Sequence, residues 1–289
     1  MRKKGETEMY VHLLIKILSV ASALATPLWY EYSGFSDIWL PITVLAGTYL
    51  SLSVLFWGSI ILFSFTMSKK KTYSDTPGGA YGRLFNLIFD CICSYARIKI
   101  TVKGKENVPS EPFMLVCNHR SKFDNMVIST VLKRPELIFI SKPENFDIIV
   151  CGRYMNRCSY LPIDHENIRA AMRTINTSVD LIKNKNASVG IFPEGRRNPP
   201  NILGAFSEGC FLMAKKAECP ILVCTVSGTD RVCKRFPFRS TEVKLNFIGK
   251  IPFESIKDTR TSDVSKQIHD MMNKDLFGES EKENEVCNV

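Results

Sequence analysis

The 289-residue sequence contains no internal repeat, no pair of cysteine clusters at zinc-finger spacing and no RNA-binding aromatic signature. The missing zinc and aromatic patterns argue against nucleic acid as a partner. Cys91-Ile92-Cys93 has no second paired cluster, so the sequence points to no metal. The ten cysteines do not follow the spacing of a small secreted disulfide framework. Cys117, Cys151, Cys210 and Cys224 lie within or beside apolar runs, which predicts buried, reduced thiols. No Gly-x-Ser-x-Gly elbow is present, which disfavours a serine hydrolase. Acidic residues are the scarcer sign, 29 against 38 basic ones, for a net charge of +9. That bias suits anionic partners: nucleic acid, acidic lipid headgroups or phosphorylated substrates. Charge alone does not choose among them.

One long stretch lacks charge altogether. Trp39 to Met67 is apolar and uncharged, long enough to span a bilayer as a helix. An earlier run, Tyr10 to Tyr30, is interrupted by His12 and Lys16; it is marginal as a span and can instead lie in the interface. A second apolar run following at once argues against a cleaved signal peptide. Arg2, Lys3 and Lys4 precede the first run and Lys69, Lys70 and Lys71 follow the second. The link between the runs carries Glu31 and Asp37 but no basic residue. The positive-inside rule then puts both ends in the cytoplasm, at the cell membrane. Trp29, Tyr30, Tyr32 and Trp39 stand where interfacial aromatics belong. The alternative is a hydrophobic hairpin buried in a soluble protein.

The domain reading is a membrane helical hairpin over 1–71, a catalytic domain over 72–277 and a polar, disordered tail over 278–289. Residues 68–80 are polar and turn-rich and read as a linker. Beyond them apolar runs at Phe113–Cys117, Leu137–Ile140, Tyr160–Ile163, Val189–Phe192 and Ile221–Val226 read as buried strands. Ser240–Ile248 alternates, with Val243, Leu245 and Phe247 on one face, as in a half-exposed strand. A stripe of Ile168, Met172, Ile175, Val179 and Ile182 marks a helix, and further helices are predicted over 204–217 and 264–276. The alternation predicts an α/β fold: a mixed, largely parallel sheet covered by helices.

The chemistry-bearing segment is Asn118-His119-Arg120-Ser121-Lys122-Phe123-Asp124, between a predicted strand and a predicted helix. Residues five apart on a helix differ by about 140° around its axis, so His119 must lie in the preceding turn to meet Asp124. With Ser121 as N-cap, the Asp124 carboxylate can hold one imidazole nitrogen and leave the other free as a base. Ser-x-x-Asp before an apolar run is also a capping box, which explains Asp124 without catalysis; both readings stay open. The second segment, Phe192-Pro193-Glu194-Gly195-Arg196-Arg197, also follows a predicted strand. In a parallel sheet both strand ends fall on one edge, where open α/β sheets bind ligands. Arg196 and Arg197 suit a phosphate, Glu194 can orient one of them, and Gly195 permits close backbone approach.

These segments resemble the 1-acylglycerol-3-phosphate acyltransferases and their glycerolipid acyltransferase relatives. That family carries Asn-His-x-x-x-x-Asp, matched here by Asn118, His119 and Asp124, with Ser121 two residues after the histidine. Its Phe-Pro-Glu-Gly-Thr-Arg block is similar to Phe192 to Gly195 with Arg197. Leu161-Pro162-Ile163-Asp164-His165-Glu166 and Cys219-Pro220-Ile221-Leu222-Val223-Cys224 are similar to two further blocks. The resemblance spans about residues 80–250 and suits a two-helix membrane element. It implies a His119–Asp124 dyad that deprotonates the sn-2 hydroxyl of lysophosphatidate. The donor is acyl-coenzyme A or acyl-carrier protein, a co-substrate; no cofactor and no covalent acyl-enzyme is implied. Glu194, Gly195, Arg196 and Arg197 are the implied substrate-binding residues. The chain departs from the pattern at His165, where an arginine is usual, at Arg196 in place of threonine, and at Cys224 in place of proline. These departures bear on the acceptor more than on the reaction. Glycerol 3-phosphate or another lysophospholipid is the alternative acceptor. A non-catalytic membrane-surface binding protein is the alternative class. A Cys117 nucleophile is disfavoured because that residue ends a strand.

Overall fold

The computed structural model describes residues 9–68, 77–164 and 167–286. The basic flanks at 2–4 and 69–71, most of the predicted linker, and His165 with Glu166 lie outside the described residues. The chain divides into two compact units, Met1–Met67 and Ser68–Val289.

The first unit is a pair of helices, α1 (Met9–Leu24) and α2 (Trp39–Ser64), packed on one another. The carboxylate of Asp37 accepts hydrogen bonds from the backbone and hydroxyl of Ser33 at 2.7 and 2.8 Å, so the acid in the link is absorbed by its own turn. At 1.5 Å per residue α2 measures about 39 Å, against about 30 Å for a hydrocarbon core. Ile42, Leu50, Val54, Leu55 and Leu62 along it are exposed. Phe35–Ser64 is thus long and apolar enough to cross a membrane, and marks the chain as membrane-associated. The apolar helix around α1, Leu13–Leu28, is shorter.

The second unit opens with α3 (Gly79–Tyr95) and β1 (Ile98–Lys103). There follow β2 (Met114–Cys117), α4 (Asp124–Leu132), β3 (Leu137–Ser141), α5 (Cys151–Arg157), β4 (Leu161–Pro162) and α6 (Ile168–Lys185). Then come β5 (Ser188–Ile191), α7 (Leu212–Ala217), β6 (Ile221–Ser227), α8 (Val232–Arg235), β7 (Thr241–Ile251), α9 (Phe253–Ile256) and α10 (Thr261–Val286). The strand order is β1-β7-β6-β2-β5-β3-β4. Every neighbouring pair is parallel except β6 with β7. All residues of β2 and β5 are buried, as in a parallel sheet covered on both faces. β7 alternates, with Val243, Leu245 and Phe247 inward. The sheet therefore matches the α/β expectation, and the C-terminal ends of β2, β3, β5 and β6 share one edge.

Three details differ from the sequence reading. α3 and β1 were not foreseen. The predicted helix over 204–217 is a single 3-10 turn, Glu208–Phe211, followed by the short α7. The described part of the predicted polar tail, residues 278–286, is helical, because α10 continues to Val286. Glu, Lys and Ser-rich sequence can form a solvated helix as readily as a coil, so polarity alone did not separate the two.

Candidate active site

Where β2 ends, a side chain takes over from the backbone. The amide of Asn118 donates to the carbonyl of Val226 at 2.9 Å and accepts from its N–H at 2.8 Å. It thereby occupies the next rung of the β2–β6 ladder and fixes where the chain turns.

His119 is held on four sides in that turn. Its N–H donates to Oε1 of Glu194 at 2.6 Å, and its carbonyl accepts from the N–H of Asn198 at 3.0 Å. Its ring stacks on Phe192 with centroids 4.3 Å apart. Its Nδ1 lies 2.7 Å from Oδ2 of Asp124. Phe192 in turn stacks on Phe139. A Cβ at position 190 would come within 2.5 Å of the Phe139 ring, so Gly190 leaves the space this stack occupies.

Asp124 has no exposed surface. Oδ2 also accepts from the N–H groups of Arg120 and Ser121 at 2.7 and 2.8 Å, and Oδ1 accepts from the Thr229 hydroxyl at 2.5 Å. With two backbone N–H groups and a hydroxyl also aimed at it, the carboxylate is a fixed acceptor and favours the tautomer with hydrogen on Nδ1. Nε2 is left as the free ring nitrogen.

Ser121 does not cap α4 as expected. Phe123 occupies the N-cap position without a side-chain bond, and Ser121 Oγ instead accepts from the N–H of Phe123 at 3.1 Å. Only the reverse half of the capping box forms, from Asp124 back to Ser121. One carboxylate thus serves as the histidine's partner and makes half of the expected capping box.

The other loop follows β5. Gly195 adopts φ 63°, a left-handed conformation that turns the chain after Glu194. The expected pairing of Glu194 with an arginine is not what the geometry gives. Its Oε2 accepts from the Asn198 side chain at 2.5 Å and from the N–H of Gly204 at 2.8 Å, while Oε1 takes the His119 amide. A carboxylate that is nearly buried finds three convergent N–H donors closer to hand than a solvated guanidinium. Arg196 and Arg197 are exposed.

A cavity of about 490 Å³ joins the two loops and is lined by His119, Gly195, Arg196 and Arg197. Its walls include the buried rings of Phe85, Phe89, Phe139 and Tyr160, so it is apolar on the protein's interior side. Lys122 and Lys142, both exposed, add two cations to the arginine pair. The sequence reading missed these lysines. Lys122 lies within the first motif, and Lys142 directly follows β3; a cation just past a buried strand was the available signal. Thr229 and Asn198 had no such signal. Ile163, in the Leu161–Glu166 segment, also lines the cavity.

Cys117 is fully buried, and burial, reinforced by Cys224 and by the charges of Asp124 and Glu194, pushes its thiol well above the ordinary value. It is no nucleophile at neutral pH. Among the described residues no group of His, Cys, Asp and Glu is arranged to hold a metal ion.

Comparison with known proteins places this architecture. The Acyltransferase family matches residues 99–227, which include both loops. The chain is 35% identical over 144 residues to the chloroplastic 1-acyl-sn-glycerol-3-phosphate acyltransferase BAT2 of Brassica napus, covering 49% of this chain and 41% of that protein. It is 29% identical over 189 residues to a probable 1-acyl-sn-glycerol-3-phosphate acyltransferase of Mycoplasma genitalium, covering 62% of this chain and 69% of that one. The chain thus spans about two fifths of the plant relative's length. The crystal structure of the 1-acyl-sn-glycerophosphate acyltransferase PlsC from Thermotoga maritima has the same fold. It superposes with a TM-score of 0.56 at 18% identity, over 93% of this chain and 98% of that one.

Proposed function

We propose that the chain is a glycerolipid acyltransferase that moves a fatty acyl group from a thioester donor to the sn-2 hydroxyl of 1-acyl-glycerol-3-phosphate, giving phosphatidate. The observation that carries this reading is the 2.7 Å contact between His119 Nδ1 and Asp124 Oδ2 beside a cavity that is cationic at the surface and apolar within. Nε2 of His119 removes the hydroxyl proton as the oxygen attacks the thioester carbonyl carbon. The tetrahedral intermediate collapses, the C–S bond breaks, and the departing thiolate takes the proton from Nε2. A thioester is already activated, so one positioned base and nearby donors suffice.

Arg196 and Arg197, with Lys122 and Lys142, hold the acceptor phosphate in this reading, and Gly195 gives it room. Glu194 acts behind them by fixing the two loops. The apolar walls receive a hydrocarbon chain. Acyl-coenzyme A and acyl-carrier protein are both suitable donors. The second unit works on the cytoplasmic face of the cell membrane, a placement supported by the lysines and arginine that flank the apolar runs.

The test is incubation of membranes carrying the chain with labelled acyl-coenzyme A or acyl-carrier protein and a panel of acceptors. Lysophosphatidate should yield labelled phosphatidate, with glycerol 3-phosphate and other lysophospholipids poorer acceptors. Equal use of a phosphate-free monoacylglycerol would overturn the assignment.

A further inference from the structure

β6 ends at Ser227, and Thr229 just beyond it holds the Asp124 carboxylate. The chain then runs through α8 and returns to the same sheet edge, because β7 is antiparallel to β6. This connection has an unusual surface. Arg231, Lys234, Arg235 and Arg239 supply four cations between residues 231 and 239, with no acid before Asp230 on one side or Glu242 on the other. Phe238 is 86% exposed and Phe236 is 40% exposed. Phe236 touches Tyr95, itself exposed, with ring centroids 5.7 Å apart.

The loop is braced in this form. Val232 is buried and anchors α8. The Arg97 guanidinium donates to the carbonyls of Phe238 and Pro237 at 3.2 and 3.4 Å. The N–H of Arg239 donates to the carbonyl of Arg235 at 2.9 Å. An aromatic ring is thus held out in water while the backbone beneath it is fixed.

We propose that the loop Arg231–Arg239, with Tyr95 and Arg97, is a docking element for the surface of an anionic bilayer. Phe236 and Phe238 enter the headgroup region, where aromatic rings are favoured, and the cations lie against lipid phosphates. A purely electrostatic partner such as an acidic polypeptide would use the cations but leave Phe238 without a use; a single-stranded nucleic acid, whose bases would stack on that ring, is an outcome the test separates. Docking at this edge would set the loop joined to Asp124 at the depth where lipid headgroups lie. The proposal does not depend on the acyl-transfer reading, since lipid contact is measured without turnover.

The test uses the full chain in lipid nanodiscs, with Cys151 and Cys287 changed to serine and an environment-sensitive fluorophore on the exposed Cys233. In nanodiscs containing phosphatidylglycerol, emission should shift to the blue and be quenched by lipids carrying a nitroxide near the headgroup. In phosphatidylcholine alone both effects should be weak. Lys234→Gln and Arg235→Gln should each lower the docked-to-free ratio about fivefold, and raised salt should mimic them. Phe238→Ser should abolish the blue shift with an unchanged unfolding temperature, as its ring touches little protein. Emission indifferent to nitroxide lipid and to phosphatidylglycerol overturns the proposal. So does a response to added nucleic acid or acidic polypeptide without one to lipid.

Discussion

The backbone N–H of His119 donates to Oε1 of Glu194 across 2.6 Å, joining residues 75 apart in sequence. The other oxygen of that carboxylate gathers Asn198 and Gly204. The loop carrying the base and the loop carrying the arginines are therefore one braced unit, and Glu194 is its centre.

Glu194→Gln should accordingly act on turnover rather than on acceptor affinity. The amide turns one acceptor oxygen into an N–H donor that faces another donor. Bonds to a charged group contribute about 1.5–3 kcal/mol, so turnover should fall about tenfold or more. The Michaelis constant for the acceptor should change little. If only that constant rises, Glu194 touches the acceptor after all.

His119→Ala should lower turnover by about 10²–10⁴-fold with a near-normal fold, the usual contribution of a general base. Asp124→Asn is different. Four donors converge on this buried carboxylate, and an amide must turn its own N–H groups toward some of them. Both activity and unfolding temperature should fall, the latter reflecting a loss of about 1–3 kcal/mol. An Asp124→Asn protein that loses stability but keeps turnover would leave the residue as a brace alone.

The buried thiols predict an alkaline limit. Burial pushes Cys93 and Cys158 up to about 12 and Cys219 up to about 11, from an ordinary 9.0. The folded state keeps protons that the unfolded state releases, so this stabilisation is complete below pH 9.0 and is lost as pH rises toward 11–12. Thermal unfolding followed over that window should show a falling midpoint. Alanine at all three positions should flatten the slope relative to the parent, whatever it does to the midpoint at neutral pH. An unchanged slope would mean that other groups set the limit.

How much of this was legible follows from range. The central strands show as continuous apolar runs because both faces are covered, and β7 shows its alternation because one face is not. His119 and Asp124 are close in sequence, and the helical angle already required the histidine to sit outside α4. α3 is hidden because its apolar stripe of Phe85, Ile88 and Phe89 directly follows a turn-rich segment that reads as linker. Thr229 reaches Asp124 from 105 residues away, and Asn118 meets Val226 from 108 away. Such contacts exist only once the sheet order is set. Glu194 was identified but aimed wrongly, since sequence places a residue in a loop without saying which way its side chain turns.

The arginines offer the sharpest test of the acceptor. In lysophosphatidate the reacting hydroxyl is on the carbon next to the one bearing the phosphate ester, so a group that grips the phosphate also aims the hydroxyl at His119. With Glu194 committed to backbone and Asn198, Arg197 is not oriented by it and acts from the exposed rim of the cavity. Loss of a charge-assisted contact costs about 1.5–3 kcal/mol, or roughly 10- to 150-fold, and solvent exposure favours the lower end. Arg197→Ala should raise the Michaelis constant for lysophosphatidate by about that order, with a much smaller change for the acyl donor. Arg197→Lys should restore part of the loss, because a point charge replaces the fork imperfectly. Arg196→Ala should act in the same direction but more weakly, since Arg197 matches the arginine of the Phe-Pro-Glu-Gly-Thr-Arg block whereas Arg196 stands in place of its threonine. Steady-state kinetics with donor and acceptor varied separately decides the matter. An Arg197→Ala enzyme weakened equally toward both substrates would remove the phosphate from this loop.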